Sequence, residues 1–239
     1  MSFSDELLMA LADWQKGWRE KQSERERLSV QLQKAVASLD PKFKRVNTTC
    51  YRKRFLHEGE LVDIVLRNEK AEGVVSWTIK QEFAERFKGL QKLDAVSGAI
   101  FEHTPTEDEV VLNICELWKD LAFIAAANQF GERHPEKAKP LLHFRDGQGE
   151  VVLTSPLKAT EIIALTGASS PFDDLCDSAG IPEEQRDDLF KRLVDDGHAP
   201  GELQYTSRES AQRIIENTIR RIHERVHAYK MAPSTPPCA

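Results

Sequence analysis

The chain has 239 residues, 40% of them apolar and 30% charged, and a net charge of −6. That composition supplies one sizeable core, or a domain with a smaller partner, and no apolar run reaches membrane-spanning length. The acidity excludes wholesale coating of nucleic acid but leaves room for a local basic patch.

Residues 1–6 lack the basic start and apolar stretch of a signal peptide. Cys50, Cys115, Cys176 and Cys238 are scattered, with no C-x-x-C pair. The expectation is a soluble, cytoplasmic protein with reduced thiols.

Residues 4–38 read as helix, with Leu7, Leu8, Leu11, Trp14 and Trp18 as a packing stripe and a charged run at 19–27. A solvated face carrying intrahelical ion pairs explains that run. Asp40-Pro41 ends the region. Lys42, Lys44, Arg45, Arg52, Lys53 and Arg54 then concentrate positive charge, and residues 50–56 alternate as a strand with Arg52 and Arg54 on one face. Residues 61–66 fit a strand or a short helix equally.

Gly73-Val74-Val75 reads as a strand ending at Ser76-Trp77-Thr78, after which Ile79, Phe83 and Phe87 recur at helical spacing. Thr78 and Gln81 have the spacing of a capping box, which predicts a helix from Ile79. Residues 95–101 read as a strand. Thr106 and Glu109 form a second capping box, predicting a long helix to about Gly131. A polar loop follows, then a hairpin or broken strand through Leu141–Phe144 and Gln148-Gly149-Glu150 to Leu153. From Lys158 onward the chain reads as helical, with a frayed Pro-rich tail at 233–237.

Arg52 on a strand, Ser76-Trp77-Thr78 at a strand end and Gln148-Gly149-Glu150 leading a later strand occur in that chain order. The pattern resembles that of the ADP-ribosyltransferase toxins and their relatives, in which an Arg, a Ser-x-Ser/Thr and a Gln/Glu-x-Glu element surround NAD. It covers residues 45–155, approximately. The resemblance implies an α+β fold: a split β-sheet core at 41–156, an N-terminal helical segment at 1–40 and a C-terminal helical region at 157–239.

It also implies roles. Glu150 stabilises an oxocarbenium-like ribose as nicotinamide leaves, and Ser76 holds that carboxylate. Arg52 offers a planar fork to the pyrophosphate or adjoining ribose, with Arg54 as fallback. Gln148 meets the acceptor, and Trp77, Phe83 or Phe87 walls the nicotinamide. Thr78 completes the serine element. The middle of that element holds a bulky tryptophan. Gln in place of the first Glu goes, in the family, with acceptors other than arginine, guanine bases among them.

The expectation is an NAD-dependent mono-ADP-ribosyltransferase, with NAD as co-substrate and no metal, acting on a protein or nucleic acid. A toxin or antiviral-defence effector with an inhibitory antitoxin-like partner would fit. Each element also has a plainer reading: Thr78 as a helix cap, Phe83 and Phe87 as core, Glu150 as a turn residue.

Two rivals stand. His223-Glu224-Arg225-Val226-His227 matches the H-E-x-x-H zinc-peptidase pattern, but Arg225 puts a charge between the histidines and no downstream acid follows. The charged helical ends equally suit a non-catalytic interaction protein.

Overall fold

The structure is a computed structural model and describes residues 3–17, 21–57, 59–89, 95, 97–166, 170–196 and 205–231. Trp18, Cys238 and the tail at 233–237 lie outside these. The fold is α+β. Its open antiparallel sheet runs in the order β4-β5-β2-β1-β3-β6, with β1 at Cys50–Leu56, β2 at Val75–Thr78, β3 at Ser97–His103, β4 at Val110–Asn113, β5 at Glu150–Leu153 and β6 at Ile162–Leu165. The helices are α1 (Asp5–Lys16), α2 (Gln22–Val36), α3 (Glu60–Arg67), α4 (Gln81–Arg86), α5 (Ile114–Leu117), α6 (Leu121–Arg133), α7 (Pro135–Phe144), α8 (Ser170–Ser178), α9 (Glu183–Asp195) and α10 (Arg208–Met231). None of the described helices is long and apolar enough to cross a membrane.

The chain divides into two compact units: residues 1–52, 71–87 and 102–156, and residues 53–70, 88–101 and 157–239. In the first, α1 starts where Ser4 accepts the Leu7 N–H and stops at Gly17, whose φ of 82° suits glycine. Its buried face (Leu7, Leu8, Leu11 and Trp14) joins Leu28, Leu32 and Val36 of α2, Phe123, Ala127 and Phe130 of α6, and Ala138 and Leu141 of α7. Val74, Leu112 and Val152 complete this core from the sheet side. The α2 charge run stays at the surface, with Arg27 and Glu24 paired at 2.7 Å.

In the second unit β6 pairs with β3 through Ala99↔Leu165 and Ile100↔Ala164, and α10 packs on β6, α3 and α8. Lys53 is nearly buried here; its ammonium donates to the Gly89 carbonyl and stands 5.1 Å from both the Phe55 and Tyr205 rings. Burial pushes this amine down to about 8.

Long-range pairing overrides several local signals. The predicted helix over 4–38 is two helices, the first ending at Lys16 and the second beginning at Gln22. Thr78 does not open a helix: it pairs with Glu150 as the last residue of β2, and α4 begins at Gln81, whose side chain bonds Glu85 at 2.9 Å. The Thr106–Glu109 capping box exists, but it caps a single 3-10 turn. Val110–Asn113 then pairs with β5 as a strand, and the long helix starts later, where Asp120 accepts the Ala122 and Phe123 N–H groups. The predicted loop at 132–140 and the strand at 141–144 are the end of α6 and all of α7, with Pro135 in its first turn, where a missing N–H costs nothing. Residues 61–66 are helix, and Ile162–Leu165 is a strand inside the region expected to be wholly helical.

Candidate functional site

β2 and β5 pair through Val75↔Leu153, Ser76↔Val152, Trp77↔Val151 and Thr78↔Glu150. Directly opposed residues share a face, so Ser76, Thr78, Glu150 and Val152 all point to the side covered by α1, and Trp77 points to the other. The Ser76 hydroxyl donates to Glu150 Oε1 at 2.6 Å. Trp14 Nε1, from the last turn of α1, donates to both Ser76 Oγ and Glu150 Oε1 at 3.1 Å, and Gln15 Nε2 donates to Glu150 Oε2 at 3.1 Å. Glu150 is only 5% exposed. A carboxylate at that depth demands such donors, since an unpaired buried charge costs several kcal/mol, roughly.

Arg52 reaches this cluster through the main chain. The antiparallel ladder between β1 and β2 is registered at Tyr51↔Thr78, and Ile79 N–H bonds Gly149 O on the β5 side. Alternation therefore turns the Ser76 carbonyl toward β1. There it accepts Arg52 Nη1 at 2.6 Å, while Arg52 Nε bonds the buried Glu72 at 2.9 Å. Three segments 24 and 74 positions apart thus form one hydrogen-bonded chain, Arg52–Ser76–Glu150.

The remaining predicted positions separate. The Thr78 hydroxyl donates to the Gln148 carbonyl at 2.6 Å and accepts the Lys80 N–H at 3.0 Å, fixing the approach to β5. Gln148 lies in a turn before the strand, half-buried, and contributes that carbonyl. Arg54 belongs to the second unit, paired with Glu60 at 3.5 Å. Trp77 is buried 5.7 Å from the His103 ring, its Nε1 without a hydrogen-bond partner among the described residues. Phe87 is 41% exposed at the end of α4, against Phe83 at 5.7 Å. Trp14, Gln15 and Glu72 are the participants the sequence did not point to. Trp14 read as one more residue of an apolar stripe, and nothing local marks Gln15 or Glu72.

Gly149 makes the approach of Glu150 feasible. Its φ is +61°, and a Cβ there would stand 2.9 Å from Lys80 Cγ and 3.1 Å from both Ile79 Cγ1 and Thr78 Oγ1. Gly149→Ala is expected to cost about 1–3 kcal/mol in denaturant unfolding and to loosen the Ser76–Glu150 contact; an unchanged midpoint would contradict the close approach.

On the Trp77 side, His103 Nε2 contacts Ser155 Oγ at 2.8 Å and Glu109 Oε2 at 3.0 Å, and Ser155 donates to Glu109 Oε1 at 3.1 Å. These residue types suit a hydrolytic triad, but Ser155 is wholly buried and both partners share one ring nitrogen, so the serine is not poised as a nucleophile. Burial alone would raise the Glu109 carboxyl; the Thr106 N–H, the His103 ring and the Thr106 hydroxyl outweigh it and hold it down at about 2. A depressed carboxyl contributes stability that is full above its unfolded value near 4.5 and lost as pH falls through about 2. The stability gap between wild type and Glu109→Gln is therefore expected to close as pH falls from about 4.5 toward about 2. A gap independent of pH down to 2 would refute this.

Burial pushes the Cys50 and Cys115 thiols up to about 12 and about 11, so both are protonated at neutral pH and neither is an activated nucleophile. His223 and His227 lie on the exposed part of α10, and among the described residues no group of three or more His, Cys, Asp or Glu side chains is placed to hold a metal.

Comparison with known proteins adds no family. The chain matches no family model, and no curated protein or solved structure matches it.

Proposed function

We propose that the chain is an NAD-dependent mono-ADP-ribosyltransferase whose sheet corresponds to the split β core of that family. The observation supporting this is the Arg52–Ser76–Glu150 chain: the three elements of the resemblance meet at hydrogen-bond distance although they are far apart in sequence.

In this reading the bond between ribose C1′ and the nicotinamide nitrogen breaks, and nicotinamide leaves with the bonding electron pair. The Glu150 carboxylate, oriented by Ser76 and Trp14, faces the positive charge that develops on the sugar. An acceptor nucleophile then bonds C1′ and gives up its proton to solvent. Arg52 fixes the Ser76 main chain on one side of the carboxylate. Held by Glu72, it acts through position rather than as a free anion-binding fork.

The acceptor is a macromolecule, and a toxin or defence effector restrained by an inhibitory partner suits such an enzyme. Incubating the protein with labelled NAD and cell lysate should give labelled macromolecules; loss of the label on nuclease or on protease treatment identifies the acceptor class. A lysate that acquires no label would refute transfer.

One observation favours a second reading. Glu150 takes donors from Ser76, Trp14 and Gln15 and so ties α1 to the sheet, which a non-catalytic helical interaction protein would also need. In that case NAD is neither bound nor cleaved.

A further inference from the structure

Gln15 carries an unusual bond pattern. Its Nε2 donates to Glu150 Oε2, yet its Oε1 is buried with no hydrogen-bond partner among the described residues. A buried acceptor without a donor is destabilising and uncommon in folded proteins, and a bound ligand is one way to supply the missing partner. Oε1 and Nε2 sit on the same carbon, so the orphaned oxygen stands beside the carboxylate. Glu150 Oε2 receives Gln15 as its one donor among the described residues and retains a lone pair for another. The pair therefore places an amide acceptor next to a carboxylate acceptor, both shielded from solvent, with only other parts of Gln15 partly exposed.

Two adjacent acceptors match two adjacent donors, and a ribose presents these as its 2′- and 3′-hydroxyls on one face of the ring. We propose that Gln15 is a substrate-positioning residue: with Glu150 holding the 2′-hydroxyl of the nicotinamide ribose, Gln15 Oε1 accepts the 3′-hydroxyl. The inference rests on the NAD reading above and extends it to a substrate class, a ribosyl donor with an unmodified cis-diol. The terminal amide torsion is soft, so rotation brings Oε1 out of its shielded position toward the sugar, at the cost of the Nε2–Glu150 bond that the ribose hydroxyl replaces and without disturbing the helix. Gln15 follows the buried Trp14 on α1, and that packing fixes its position over the carboxylate.

The test is binding of NAD, and of NAD whose nicotinamide ribose lacks the 3′-hydroxyl, to the full chain and to Gln15→Leu, by titration calorimetry. The expected result is a loss of about threefold to tenfold in NAD affinity for the variant, with no further loss for the deoxy analogue. Equal weakening toward both ligands, or toward neither, overturns the role of Gln15 while leaving NAD binding in place. Failure of the wild-type chain to bind NAD overturns both the inference and the reading beneath it. Thermal unfolding accompanies each titration. If Gln15→Leu is unfolded, Gln15→Met, which keeps the chain length and removes the acceptor, carries the same comparison.

Discussion

Glu150→Gln is expected to lower nicotinamide release from NAD by about 10²–10³-fold or more, because in the proposed mechanism it removes the negative charge that faces the developing cation. The fold should survive. In wild type the described groups around the carboxylate all donate: the Ser76 hydroxyl, the Trp14 N–H and the Gln15 amide. A glutamine at 150 still presents an oxygen to Ser76 and Trp14. Its new NH2 group then meets Gln15, which can turn its amide and offer the orphaned Oε1 instead. The variant should therefore unfold within a few degrees of wild type while losing catalysis, a combination that a purely structural Glu150 would not give. Full activity in Glu150→Gln would remove Glu150 from the mechanism.

The largest effect on stability is expected at Trp14. It is 2% exposed, sits in the core built by α1, α2, α6 and α7, and holds Ser76 and Glu150 through its indole N–H. Trp14→Ala leaves a cavity and strips a donor from a buried carboxylate, and should cost about 3–5 kcal/mol. For a chain of this size that is a drop in the thermal midpoint of roughly 6–20 °C. Trp14→Phe keeps a six-membered aromatic ring in the core but loses the indole N–H together with part of the bicycle, for about 1–3 kcal/mol. If the two variants unfolded alike, the ring that phenylalanine retains would contribute nothing to the packing. A midpoint unchanged in both would contradict the burial of α1.

The candidate site was more legible in the sequence than the elements carrying it. Ser76 and Glu150 stood out because a short hydroxyl at a strand end and a glutamate after a glycine are chemically specific and their order matched a known pattern. Their partners on α1 were not legible, since a tryptophan in a Leu-rich stripe looks the same whether it merely fills a core or also donates to an acid. Arg52 meets Ser76 at hydrogen-bond distance, but its guanidinium is held by Glu72 rather than offered as a free fork, and nothing local at Glu72 announces a buried counter-ion.

Among the elements, local rules failed where the sheet claimed a residue. Thr78 and the residues after Glu109 carry helix-start signals, yet each lies beside β5, and pairing to β5 decides their conformation. The reverse difference, at residues 141–144, lies in a short apolar run whose periodicity fits both states. Pro135, at the first position of α7, is the local start signal for that helix.

The proposal turns on whether this carboxylate, drawn from the edge of β5 and held by a serine and an indole, acts on a dinucleotide sugar. Following nicotinamide released by the purified full chain from NAD, alone and with lysate as acceptor, answers that. The expected result is release above the enzyme-free rate that Glu150→Gln lacks. No release with or without acceptor would contradict it and leave Glu150 as the polar anchor of α1.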